Sequence, residues 1–263
     1  MKFATINGIS IHYQFDDAGT AKPLIVFSNS LATDFRIWQD CVDDLSADYS
    51  ILRYDKRGHG LSGMGTPPYQ IDDHVNDLVA LMDHLGLSGA AVVGLSVGGL
   101  IAQGLYHARP DLAKALILCD TAAKIGNADM WNDRIAIARD GGLAALVDAN
   151  MQRWFSPAFH ADRATELHGY RAMFTRTPLD GYIGTGMAIR DADITLMVVD
   201  AKAGVTPVDK FFASEIRKSG ARVVLLANKC EGKAGAAGLS EAWTLGLGEP
   251  VPISAAHGEG LVD

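Results

Sequence analysis

Four short apolar runs in the first half of the chain, residues 24–28, 51–54, 90–95 and 115–119, alternate with stretches whose apolar residues recur at helical spacing. This alternation constrains the fold more than any other feature. Strands apolar on both faces must be buried on both faces, and a chain that returns through a helix each time lays its strands parallel. The expectation is an α/β fold with a mostly parallel sheet. One of the intervening helices carries Ile71, Val75, Leu78, Val79, Met82 and Leu85 on a single face; others are expected near 37–45 and 98–109. Ahead of them, β-patterned residues 3–6 and 9–15 flank Asn7-Gly8, a strong hairpin signal.

Between Ala122 and Arg190 the rhythm stops. Trp131, Met151, Trp154, Phe155, Met173 and Met187 are scattered over helical stretches with no strand pattern among them, which predicts a helical insertion over the sheet. Strand–helix alternation resumes with strands at 196–200, 223–227 and 251–254 and helices near 208–218 and 239–245. Residues 231–238, rich in Gly and Ala, are expected to form a mobile loop.

At 263 residues the chain is long enough for one large domain or two small ones. A net charge of -8 without a basic stripe argues against nucleic acid or an anionic membrane as partner. Cys41, Cys119 and Cys230 are odd in number and widely spaced, so neither a disulfide framework nor a zinc knuckle is expected. The N-terminal residues carry no apolar signal core, and no run approaches the roughly 20 apolar residues of a membrane span. A soluble, cytoplasmic protein is expected.

The chemistry centres on Gly94-Leu95-Ser96-Val97-Gly98. Ser96 ends an apolar strand and begins a helix, the context in which such a pentapeptide holds a nucleophilic hydroxyl above a sheet. The glycines let the backbone pass close to its neighbours. Acyl transfer also needs donors for the developing oxyanion. One is expected to be the N–H of Val97, at a helix N-terminus. The other should come from the loop after the 24–28 strand, with Leu31 first and Ser30 next. The loop Asp55-Lys56-Arg57-Gly58-His59-Gly60 reads as structural, since His59 comes too early in the order to be the base.

With these motifs in place, residues 1–190 resemble the 3-oxoadipate enol-lactonases of the α/β-hydrolase superfamily. The carrying segments are 27–38 (FSNSLATDFRIW), 52–62 (LRYDKRGHGLS), 94–103 (GLSVGGLIAQ), 118–122 (LCDTA) and 153–155. The resemblance implies hydrolysis of a small lactone in aromatic-compound catabolism, through an acyl-serine and without a cofactor. It makes 122–190 a cap over the site, with Trp131, Arg153 and Trp154 as substrate-binding residues. An anionic substrate would suit cap arginines such as Arg134, Arg153 or Arg190.

The family's triad runs in the order Ser, acid, His, and here the pattern breaks. Alignment on Gly204, Thr206 and Pro207 puts Ala203 where the acid should be; the substitutes are Asp200 and Asp120. Where the family has its histidine this chain has Asn228-Lys229-Cys230-Glu231. Of its eight histidines, only His257 follows the cap.

Residues 192–263 instead resemble the first G domain of Der-type bacterial GTPases, through 193–207 (DITLMVVDAKAGVTP), 223–232 (VVLLANKCEG) and 245–260 (LGLGEPVPISAAHGEG). In that family the Asn228-Lys229-X-acid loop and the backbone around 254–256 hold guanine. No G-x-x-x-x-G-K-[ST] phosphate loop occurs, so GTP binding is not expected. The two resemblances divide the chain into a hydrolase core (1–121), a helical cap (122–190) and a G-domain-like segment (191–263) that completes or flanks the sheet. They also suggest a fusion near 191–195. Three readings follow: a lactonase impaired by its replaced loops, with Ser96, His257 and either Asp120 or Asp200; an inactive chimera; and a guanine-nucleotide-binding protein.

Overall fold

The computed structural model describes residues 1–19, 22–192, 194–219, 222–230 and 232–253. The hairpin is β1 (Lys2–Ile6) and β2 (Ile9–Asp16), with Asn7 and Gly8 both at positive φ, 48° and 79°. Two such residues make the turn whose twist matches the strands it joins. Strands β3 (Leu24–Ser28), β4 (Ser50–Tyr54), β5 (Ala90–Leu95) and β6 (Ala113–Cys119) follow, giving a six-stranded sheet in the order β1-β2-β4-β3-β5-β6. Strand β2 runs antiparallel to both β1 and β4, and the ladders joining β4, β3, β5 and β6 are parallel. The parallel arrangement read from the apolar runs is therefore present.

Helix α1 (Gln39–Leu45) packs with the cluster around Phe27, Trp38 and Ile51 on one face of the sheet. Helices α2 (Ile71–Leu85) and α3 (Val97–Ala108) pack on the other. Gln70 and Asp73 form a reciprocal cap at the start of α2, and Gly86, at φ +66°, ends it. The buried face of α2 includes Ile71, Val75, Leu78, Leu81 and Met82, and also His74 and Asp77. Those two polar residues could not be told from solvent-facing ones by spacing alone.

From β6 to the next strand the chain is helical: α4 (Ala128–Gly141), α5 (Ala144–Trp154), α6 (Pro157–Asp162), α7 (Ala164–Arg176) and α8 (Leu179–Arg190). An aromatic cluster of Trp154, Phe155, Phe159, Tyr170, Phe174 and Tyr182 binds α5, α6, α7 and α8 together. Helix α8 rests on the 55–60 loop so closely that a Cβ on Gly181 would lie 2.1 Å from the Gly58 carbonyl oxygen.

The remaining residues form β7 (Ile194–Asp200), α9 (Pro207–Ser219), β8 (Arg222–Asn228), α10 (Gly232–Ala242) and β9 (Val251–Ile253). The three strands are parallel, in the order β7-β8-β9. They flank the first sheet: among the described residues no ladder joins β6 to β7. Strand β8 alternates its allegiance. Val223, Leu225 and Ala227 face a small core with Met197, Val199, Ala213 and Leu245, whereas Val224 and Leu226, with Val251, join the main core against α3. The Tyr106 hydroxyl of α3 also donates to the Glu249 carbonyl at 3.4 Å.

One expectation is corrected here. Most of the stretch expected as a mobile loop, 231–238, is the start of α10. Its glycines serve close approach: a Cβ on Gly235 would lie 2.3 Å from the Cys230 backbone, and one on Gly238 would lie 1.7 Å from the Ala201 carbonyl oxygen. No described helix is long and apolar enough to cross a membrane.

Candidate active site

Ser96 sits at the junction of β5 and α3 with φ 56° and ψ −116°. A non-glycine residue at such angles is strained and has to be held by its surroundings. The Ser96 N–H donates to the Cys119 carbonyl at 2.9 Å, and its carbonyl accepts from Thr121 Oγ1 at 2.7 Å and from the Gly99 N–H at 2.8 Å. The flanking glycines are needed sterically. A Cβ on Gly94 would meet the Gly98 carbonyl oxygen at 2.4 Å, and one on Gly98 would meet the Ser28 carbonyl oxygen at 2.0 Å. Thr121, which the sequence reading passed over, ties the end of β6 to this turn. Its sequence signal was its place in the 118–122 segment (LCDTA) just after the end of β6.

The close approach of Gly98 to Ser28 brings the loop after β3 against the turn that carries Ser96. Val97 is fully buried and opens α3, so its N–H has no acceptor within the helix. In the neighbouring loop Leu31 is buried and Ala32 adopts φ +59°. The Ser30 carbonyl accepts from Thr33 Oγ1 at 2.8 Å and from Lys56 Nζ. The Ser30 carbonyl is thus engaged, while the N–H groups of Val97, Leu31 and Ser30 all lack an acceptor among the described residues.

The 55–60 loop is structural, as expected. The buried Asp55 carboxylate accepts from the Phe35 and Leu61 N–H groups, each at 2.9 Å, and lies 2.8 Å from His12 Nδ1. Arg57 grips Asp77 through two bonds of 2.7 and 2.8 Å. His59 is fully buried beside Lys56, with Nδ1 3.1 Å from the Arg57 carbonyl oxygen and no partner for Nε2. Burial, then the Lys56 charge, pulls its pKa well below the usual histidine value.

The expected acids are placed as follows. Asp120, at φ +42°, lies between the two residues that bond to the Ser96 backbone, and its exposed side chain makes no contact with a described histidine. Asp200 ends β7 and accepts from Lys229 Nζ at 2.6 Å, from the Lys202 N–H at 3.0 Å and from the Ala203 N–H at 3.1 Å. The bond from Lys229 is the main reason its pKa lies below the usual carboxylate value. Ala203, where the lactonase acid was expected, therefore contributes only its backbone. His257, and the 254–256 segment expected beside guanine, lie outside the described residues. None of the other seven histidines hydrogen-bonds Ser96.

In the helical region Trp131 is buried and its Nε1–H donates to the Ile125 carbonyl at 2.7 Å, so its polar atom is already engaged. Trp154 is half-buried and packs edge-on against Phe155 and Phe174. Arg134 donates to the Tyr182 hydroxyl at 2.6 Å and to Asn150, and Arg190 is taken up by Asp191 and Asn132. The Arg153 side chain makes no hydrogen bond or ion pair among the described residues, and its pKa is lowered by burial and by the nearby Arg134. No metal-binding group of His, Cys, Asp or Glu occurs among the described residues.

Comparison with known proteins matches this arrangement on both sides of the apparent join. The chain is 35% identical over 173 residues to 3-oxoadipate enol-lactonase 2 of Acinetobacter baylyi, a match covering 66% of this chain and 65% of that protein. The crystal structure of the enol-lactonase from Burkholderia xenovorans LB400 superposes with a TM-score of 0.70 at 30% identity, covering 97% of this chain and 91% of that one. A different segment is 62% identical over 81 residues to GTPase Der of Parvibaculum lavamentivorans, covering 31% of this chain and 17% of that protein. The family model for the alpha/beta hydrolase fold matches residues 23–175. That match spans more than half of the chain, which therefore belongs to the alpha/beta hydrolase fold family.

Proposed function

We propose that this protein is a serine hydrolase of the 3-oxoadipate enol-lactonase type, acting on small lactones in the cytoplasm, with its turnover reduced by the exchange of its C-terminal third. The carrying observation is the strained Ser96 turn pressed against the 29–31 loop, with the Val97 and Leu31 N–H groups among those left without acceptors. Ser96 Oγ adds to the lactone carbonyl, and the oxyanion is held by Val97 and Leu31. Collapse opens the ring, so the enol oxygen leaves while still tethered through the acyl chain. Water then releases the acyl group from Ser96. His257 is the base of this scheme, oriented by Asp120 or Asp200. Of the two acids, Asp120 is the better placed, because Asp200 is already bonded to Lys229 and its own loop. Arg153, without an acid partner, suits a substrate carboxylate.

A second reading is a fusion product with the hydrolase fold and no turnover. It is favoured by the replaced acid loop, where Ala203 stands at the expected acid position and Asp200 is already bonded to Lys229 and to its own loop. Labelling with a fluorophosphonate probe separates the two. Brisk labelling of the wild type, lost in both Ser96→Ala and His257→Ala, supports the hydrolase; no labelling of the wild type supports the inactive fusion. GTP binding is not expected, and a fluorescent GTP analogue bound at micromolar concentration would overturn that.

A further inference from the structure

Lys56 is 1% exposed, yet it forms no ion pair among the described residues. Its single side-chain hydrogen bond among the described residues runs from Nζ to the Ser30 carbonyl oxygen. A buried ammonium of this kind is expensive to desolvate, and an apolar side chain of similar length would serve stability as well or better. The explanation for a cation here lies in what it touches.

The Ser30 carbonyl and the Leu31 N–H belong to one planar, trans peptide unit, so the N–H points away from the oxygen that Lys56 holds. Thr33 Oγ1 fixes the same oxygen from a second direction at 2.8 Å. A donor on a carbonyl oxygen also polarises its amide and strengthens the N–H as a donor, and a charged donor does so most. We propose that Lys56 is a positioning residue for the oxyanion site, holding and polarising the peptide unit that presents the Leu31 N–H. The proposal rests on the reading of Leu31 as an oxyanion donor.

Burial pulls the Lys56 pKa down to about 7, against the attraction of Asp55 and Asp34. His59 on the same loop and His74 on α2 also feel its charge, and both stay neutral around pH 7 because burial holds their pKa values well below the usual one. The charged form of Lys56 is therefore present below about pH 7 and lost as pH rises through that value.

The test follows the Leu31 amide signal by NMR in the full chain labelled with [15N]leucine, identified by its loss in Leu31→Met. Spectra are taken from about pH 5.5 to about pH 9, beside the rate at which a fluorophosphonate probe labels Ser96. In the wild type the Leu31 signal should move with a midpoint near pH 7. It should stand still in Lys56→Met and hold its low-pH position throughout in Lys56→Arg. Labelling should slow about tenfold in Lys56→Met, a fraction of what removing an oxyanion donor outright costs. The alkaline fall in labelling rate should vanish in Lys56→Arg. A Leu31 signal that does not move in the wild type overturns the proposal even if Lys56→Met fails to fold. So does one that moves equally in folded Lys56→Met, or equal labelling rates in wild type and Lys56→Met. A wild type that does not label, but whose Leu31 signal titrates as described, supports the placement of Lys56 and overturns the hydrolase reading instead.

Discussion

At the scale of single residues, the site depends on places where no side chain fits. The Cβ of a Gly98→Ala variant would fall on the Ser28 carbonyl oxygen, with backbone on both sides and nothing flexible to yield. The variant should lose about 1–3 kcal/mol of stability in urea denaturation, and Ser96 labelling should fall with it. A result indistinguishable from wild type in both measurements would contradict the close approach. His59 and His74 make a second residue-level prediction. Burial depresses both pKa values in the folded protein, so the unfolded chain binds protons more readily. Their contribution to stability is complete above the unfolded value of about 6.5 and is lost as pH falls below it, by about 1.4 kcal/mol per pH unit for each histidine. Urea titrations from neutral to mildly acidic pH should show this slope, and His74→Leu should roughly halve it.

At the scale of elements, the buried pair of Arg57 and Asp77 joins three pieces of chain. It links the 55–60 loop to α2, and Asn7 Nδ2 adds the hairpin turn by donating to Asp77 Oδ1 at 3.0 Å. Asp77→Ala would leave a mostly buried guanidinium with only the more distant Asp73, 3.6 Å away. A cost of about 3–5 kcal/mol is expected, since breaking a buried pair strands its partner; calorimetry would detect it. What was legible in the sequence at this scale was whatever the chain encodes locally. Asn7-Gly8 specifies its turn with two residues, and the Ser96 turn with five. Helix α10 was misread because Gly235 and Gly238 are small for the sake of Cys230 and Ala201, contacts invisible to a scan for loop composition. Asp77 and His74 sit at helical positions whose burial is decided by Arg57, Asn7 and α8, not by spacing.

At the scale of the whole molecule, the doubly covered parallel sheet was readable because apolar strands of this length have no other soluble arrangement. The relation of the last three strands to the first six was not readable. A strand–helix–strand unit carries its own preference for parallel pairing but no instruction about which older edge to join. It kept its own core around Met197, Val199 and Leu225, and attached itself through Val224, Leu226 and Val251.

That choice leaves β6 and β7 each with one side lacking a ladder partner among the described residues. Leu118 on β6 and Val198 on β7 are exposed, Val198 by 53%. A strand edge in that condition is a template for another copy of the same chain. The separation of the two sheets should then be felt in solubility. Light scattering of concentrated samples should show slow self-association, and Val198→Lys, which puts a charge on that margin, should suppress it without altering the labelling of Ser96.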